Sequence, residues 1–294
     1  MSKNIEVKSF LNPNPVFESD TLIDPHGKKY HMENYPFIEL ILIDFKEGEY
    51  FIKIKSEKIE FEKKIEIGKK DQSRSVYFKS KKLEGLDKIK INVDIEGDGI
   101  KYSDKKILRT FEVRGKVLDT DNNPIFAYIW ASRKRLVDNE VITATDENGK
   151  FCIKCPAGRE LNLFIGDRNY ASTTLEAWVM ADIISRDIEI PEIKIGSFEV
   201  YGLKAWHSAS TWHIFFMPAK AGVKVPGDIS AEDVDVWIDG EKKDIISITK
   251  HMVSGDYPSY FLSVGGEIKN DYPQIIKVRV DSDVGFGEAY YIDE

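Results

Sequence analysis

Lys88-Ile89-Lys90-Ile91-Asn92-Val93-Asp94-Ile95-Glu96-Gly97-Asp98-Gly99 is the stretch that decides the fold class. Its first eight residues alternate polar and β-branched apolar side chains. That two-residue period suits a strand with one face in a core and the other in water. The next four residues are turn formers that tolerate positive φ. Together they predict a strand running into a hairpin.

The same pattern recurs on either side. Phe51-Ile52-Lys53-Ile54-Lys55 and Lys58-Ile59-Glu60-Phe61-Glu62 precede it. Val234-Asp235-Val236-Trp237-Ile238 and Ile276-Lys277-Val278-Arg279-Val280 follow. Turn signals at Glu47-Gly48, Asn148-Gly149, Asp239-Gly240 and Gly265-Gly266 punctuate the chain. Short strands with such regular turns imply sandwiches or barrels. A sandwich of about 100 residues fits three times into 294 residues. The expectation is an all-β protein of three consecutive β-sandwich domains, immunoglobulin-like or transthyretin-like, over residues 1–110, 111–195 and 196–294. One helix is expected over Thr174 to Ile184, where Leu175, Trp178, Val179 and Ile183 are spaced for one helical face. A short helical turn is expected from Ser230, because Ser230-Ala231-Glu232-Asp233 resembles a capping box.

Charge and composition narrow the function. Hydrophobic residues make up 42% and charged residues 31%, so the chain holds enough apolar material for a core. The net charge of −8 argues against general nucleic-acid or anionic-membrane binding. The excess is uneven. Residues 1–110 carry 22 basic and 20 acidic side chains, residues 111–195 carry 11 and 14, and residues 196–294 carry 9 and 16. The longest apolar run, around Phe37 to Phe45, is interrupted by Glu39 and Asp44 and falls short of the roughly 20 residues of a membrane span. The start, Met1-Ser2-Lys3-Asn4-Ile5-Glu6, is polar and lacks a signal-peptide core, so a cytoplasmic location is expected. No membrane and no nucleic-acid partner are expected.

Cys152 and Cys155 are the two cysteines. One C-x-x-C pair supplies half the ligands of a structural zinc site. In Phe151-Cys152-Ile153-Lys154-Cys155 the alternation is that of a strand, which points the two sulfurs to opposite faces. Phe151, Ile153 and Cys155 should face inward and Cys152 outward.

The middle segment carries a further pattern. Val113-Arg114-Gly115-Lys116-Val117-Leu118-Asp119 leads through a polar turn to Asn123-Pro124-Ile125-Phe126-Ala127-Tyr128-Ile129. Thr143-Ala144-Thr145-Asp146-Glu147-Asn148-Gly149-Lys150-Phe151 and Pro156-Ala157-Gly158 follow. Over about 85 residues this resembles the carboxypeptidase regulatory-like domain, also called the transthyretin-like or prealbumin-like sandwich. The resemblance implies a non-catalytic spacer or binding module. One branch of that fold hydrolyses a purine-derived ring. Its conserved histidines and Tyr-Arg-Gly-Ser ending have no counterpart in this segment, so that activity is not expected. No His-x-x-Glu zinc motif of an accompanying metallopeptidase occurs in residues 1–110.

Chemistry-bearing residues are sparse. His26, His31, His207, His213 and His251 lack the i, i+4 spacing of a helical zinc site. His26 and His31 would need His251 and a carboxylate, brought together by folding, to hold a metal. The acidic residues Asp228, Asp233, Asp235 and Asp239 do not have calcium-loop spacing. Neither metal nor cofactor is expected. The most suggestive stretch is Ala205-Trp206-His207-Ser208-Ala209-Ser210-Thr211-Trp212-His213, two Trp-His pairs around a small polar loop. It reads as a hairpin with Trp206 and Trp212 near each other across the turn. Aromatic rings beside polar groups stack on sugar rings or on a partner's side chains. Trp206, His207, Trp212 and His213 are therefore the candidate binding residues, and the favoured function is a non-catalytic binding or assembly protein with a protein or glycan partner. One alternative is a small-molecule hydrolase or lyase with an interdomain site and His207 or His213 as acid/base. Another is a structural spacer in an intracellular assembly.

Overall fold

The computed structural model describes residues 4–10, 21–23, 29–31, 37–69, 73–83, 85–131, 140–158, 160–222, 227–253, 257–267, 269, 273–283 and 285–293. The chain forms an all-β fold with two compact units. The first comprises residues 1–15, 34–112 and 153–157, and the second comprises residues 16–33, 113–152 and 158–294. His26 lies outside the described residues.

In chain order the first strands are β1 (Asn4–Phe10), β2 (Thr21–Ile23), β3 (Lys29–His31), β4 (Phe37–Ile43), β5 (Gly48–Lys55), β6 (Glu60–Ile67), β7 (Ser73–Lys79), β8 (Lys88–Gly97) and β9 (Ile100–Leu118). In the first unit one sheet has the order β1-β4-β7, and β8 pairs with both β5 and the first half of β9 while β6 lies beyond β5. This is the strand distribution of an immunoglobulin-like sandwich. Ile89, Ile91, Val93 and Ile95 of β8 are buried, and Lys88, Lys90 and Asn92 between them are exposed, as the alternation requires. Asp98 (φ 45°) and Gly99 (φ 67°) form the two-residue turn to β9. Positive φ at both positions identifies the type I′ hairpin that the pattern Asp-Gly favours.

The chain continues with β10 (Ala127–Ala131), β11 (Glu140–Ala144), β12 (Lys150–Pro156), β13 (Leu161–Asp167), β14 (Ala177–Ala181), β15 (Ile188–Glu189) and β16 (Ile193–Lys194). Last come β17 (Phe198–Ser208), β18 (Thr211–Lys220), β19 (Val234–Ile238), β20 (Glu241–Lys243), β21 (Ile245–Val253), β22 (Tyr257–Gly265), β23 (Gln274–Ser282) and β24 (Gly285–Asp293). The last eight form two layers, β17-β18-β22-β21 and β20-β19-β23-β24, again an immunoglobulin-like order. No cysteine cross-links these layers. Their centre is filled instead by Trp212, Phe216, Tyr260, Val236 and Val278.

The second layer does not end at β24. Parallel pairing of β14 with β24, Trp178 opposite Ala289 through Ala181 opposite Ile292, joins it to β11-β10-β13-β14 in one eight-stranded sheet. Residues on both sides of position 195 accordingly share one apolar cluster, with Phe164, Trp178 and Met180 beside Phe198 and Trp212. Close approach is permitted by glycine at one seam: a Cβ on Gly287 would stand 2.0 Å from the Phe198 carbonyl oxygen.

Two expectations for the second unit divide. The helix expected over Thr174 to Ile184 is instead β14, whose five residues are all buried. Both faces of that strand are buried, so it reads as a continuous apolar run without strand alternation. The turn at Ser230 is a 3₁₀ turn, Ala231–Asp233, in which the Asp233 carboxylate accepts from Ser230 N at 2.7 Å. The middle segment's polar turn at Asp119 is built as read, whereas the turn at Asp146, expected as a hairpin, joins β11 and β12 of different sheets. Asp119 Oδ1 accepts from Asp121 N and Asn123 N, and Asp146 Oδ1 accepts from Asn148 N and Lys150 N. Phe151, Ile153 and Cys155 are buried, and Cys152 is half-buried.

Candidate functional site

The β17–β18 hairpin sets the geometry. Ser208 pairs with Thr211 across a two-residue turn, so His207 opposes Trp212 and Trp206 opposes His213. Opposed residues share a face, and neighbours in sequence take opposite faces. Trp206 and Trp212 therefore point to opposite sides of the sheet, contrary to the expected proximity. Trp212 is wholly buried in the core, with its indole 5.2 Å from the His207 ring. Trp206 lies on the outer face and is 46% exposed.

The outer face brings in strands distant in sequence. Trp206, His213, Ser263 and Ser247 form one row across β17, β18, β22 and β21. Lys204, Phe215, Phe261 and Thr249 form the next. Three rings meet there: Trp206–His213 at 5.8 Å, Trp206–Phe261 at 5.3 Å and His213–Phe261 at 5.7 Å between centroids. The imidazole is oriented by a 2.8 Å hydrogen bond between His213 Nε2 and Ser208 Oγ. The cluster holds Trp206 with one side against other rings and the rest in solvent. Phe261 carries no sequence signal, because it reaches Trp206 through a strand more than fifty residues away.

His207 sits on the inner side, apart from this cluster. Nearby Asp293 has its carboxyl raised by burial and by Asp182 and lowered by His207. Asp182 in turn accepts from Tyr291 OH at 2.7 Å and from Lys204 Nζ at 2.7 Å. Against the cost of burial, those two bonds hold the Asp182 carboxyl below its ordinary value. The two histidines offered as acid or base thus occupy opposite sides of one sheet. Among the described residues no group of three or more His, Cys, Asp or Glu is arranged to hold a metal ion.

A second polar feature was not read from the sequence. Glu199 on β17 is buried and accepts from Trp178 Nε1 at 2.7 Å. Tyr170 OH donates to Glu176 Oε1 at 3.3 Å. Burial raises the Glu176 carboxyl, and burial together with the Glu176 charge raises Glu199 well above the carboxylate range. An acidic residue between the apolar Phe198 and Val200 was the available signal.

No family model matches the chain, and no curated protein matches it. Among solved structures it is similar to a DUF3823 family protein from Parabacteroides merdae at 12% identity and TM-score 0.24, covering 63% of this chain and 98% of that one. It is also similar to a protein from Bacteroides uniformis provisionally described as carbohydrate binding (10% identity, TM-score 0.22, 61% and 97% covered). A titin immunoglobulin tandem is similar at 9% identity and TM-score 0.21, with 71% and 88% covered. Likenesses this distant carry no functional argument. Among the described residues no helix is long and apolar enough to cross a membrane.

Proposed function

We propose that this chain is a non-catalytic binding protein whose ligand-facing surface is the outer face of the β17-β18-β22-β21 sheet. The observation that carries this reading is Trp206, nearly half exposed yet held by His213 and Phe261 on a regular sheet. Large aromatic side chains normally gain stability by burial. One kept in solvent on a rigid support suits recognition, because little side-chain freedom is lost on binding. A glycan is the partner that this surface suits best.

The modules at 1–110, 111–195 and 196–294 are read as a scaffold for that face, with the middle one as a carboxypeptidase regulatory-like sandwich. Its two Asp-based turns and buried Phe151-Ile153-Cys155 face support that assignment. The enzymatic alternative would need two cooperating groups. His207 and His213 stand on opposite faces, so each would act with a Tyr or carboxylate partner of its own.

A glycan array probed with the wild-type chain and with Trp206→Ala tests the proposal. The expected outcome is a set of bound glycans lost in the variant while circular dichroism is unchanged. Equal retention by both proteins would place binding elsewhere.

A further inference from the structure

The outer sheet faces of this protein differ in charge. In the first unit Lys53 lies between Glu60 and Glu62, Lys64 pairs with Glu49, and Lys101 pairs with Glu96. Across β20, β19 and β23, Asp235 pairs with Arg279 and Lys242, while Lys277 reaches the buried Glu288 of β24. Such ladders are what a chain with 31% charged residues is expected to show.

The rows around Trp206 break that pattern. Ser208 and Thr211 border the turn. Trp206, His213, Ser263 and Ser247 come next, then Lys204, Phe215, Phe261 and Thr249. No carboxylate stands in these positions. The one ammonium, Lys204, is occupied at 2.7 Å by Asp182 and lies 5.6 Å above the Tyr291 ring. What remains is one exposed indole ringed by hydroxyls and an imidazole.

A large aromatic side chain presents about 150–250 Å², so Trp206 at 46% exposed offers on the order of 100 Å², which matches the face of one sugar ring. Charge separates the classes of sugar. Residues 196–294 carry 9 basic and 16 acidic side chains, and Lys204, the one ammonium in the described rows around Trp206, is held by Asp182 rather than open to a uronate or sulfate. β-Linked gluco- and galacto-configured pyranoses place the C1, C3 and C5 C–H bonds on one ring face, where they meet the negative π-face of an indole. Their hydroxyls project sideways, toward positions such as Ser208, Ser247, Thr249 and Ser263.

Resting on the reading of this face as a binding surface, we infer that its ligand is a neutral glycan containing β-linked gluco- or galacto-configured pyranose, with one ring stacked on Trp206. The surrounding hydroxyls hydrogen-bond to the sugar's rim, and no ion pair contributes.

Isothermal titration with neutral β-glucan and β-galactan oligosaccharides and with oligogalacturonate, using wild type, Trp206→Ala and Trp206→Phe, tests the inference. Expected is saturable binding of a neutral oligosaccharide that changes less than about twofold between low and high salt, since no counterion is released. Trp206→Ala should weaken it at least about tenfold, and Trp206→Phe should recover part of the loss. Preferential, salt-sensitive binding of oligogalacturonate that still depends on Trp206 would overturn the neutral-glycan inference and leave the binding face standing. Binding of a neutral glycan unaffected by either variant, or binding of neither class by folded protein, would overturn both.

Discussion

Trp206 and Trp212 differ by six positions and by everything that burial decides. Trp212 is wholly buried and Trp206 is 46% exposed. Trp212→Ala removes a core side chain and leaves a cavity, so it should cost about 3–5 kcal/mol of unfolding free energy. Trp206→Ala loses ring contacts at the surface and should cost under about 1 kcal/mol. Urea unfolding of the two variants checks the contrast, and a larger loss for Trp206→Ala would contradict it. Glu199 makes a pH prediction. Burial, reinforced by Glu176, raises its folded-state affinity for a proton. The folded state then binds more protons than the unfolded chain, so this contribution is complete below the ordinary carboxylate range and is lost as pH rises through the folded value. Glu199→Gln keeps an acceptor for Trp178 Nε1 and cannot ionise. Its melting temperature relative to wild type should therefore rise between pH 5 and pH 9. A constant difference would show that Glu199 does not titrate in that range.

At the scale of elements, the β17–β18 hairpin carries both the site and a small strain. Ala209, the first turn residue, has φ +51°, a conformation that costs a non-glycine residue about 1–2 kcal/mol. Ala209→Gly should raise the urea midpoint without altering ligand affinity, and a lowered midpoint would argue against strain at this turn. The hairpin itself was legible in the sequence, because Ser208-Ala209-Ser210-Thr211 separates two alternating runs. Its register was not: a shift of one residue exchanges the faces of Trp206 and Trp212, and local sequence does not determine that shift. The strand Lys88 to Gly97 was legible because water covers one of its faces. β14 was not, because its residues are buried on both faces. Phe261 and the Glu176–Glu199 pair were hidden for a third reason, since each depends on contacts between strands far apart in the chain.

At the scale of the molecule, the parallel β14–β24 pairing gives residues 113–195 and 196–294 one sheet and one apolar cluster. Cooperative loss of a shared core predicts that both segments unfold together. In hydrogen exchange, Trp212→Ala should lower protection in β13 (Leu161–Asp167) as well as in β18, although β13 contains no mutated residue. Protection unchanged in β13 would mean that the two segments open independently. Held by that framework, the outer face can keep an aromatic ring in water without a mobile loop to support it. The most direct test uses the indole N–H resonances of the five tryptophans, followed during titration with a bound neutral oligosaccharide. The account predicts a saturating shift of Trp206, with the buried Trp212 unmoved. Saturation of other tryptophan signals with Trp206 unchanged would contradict it.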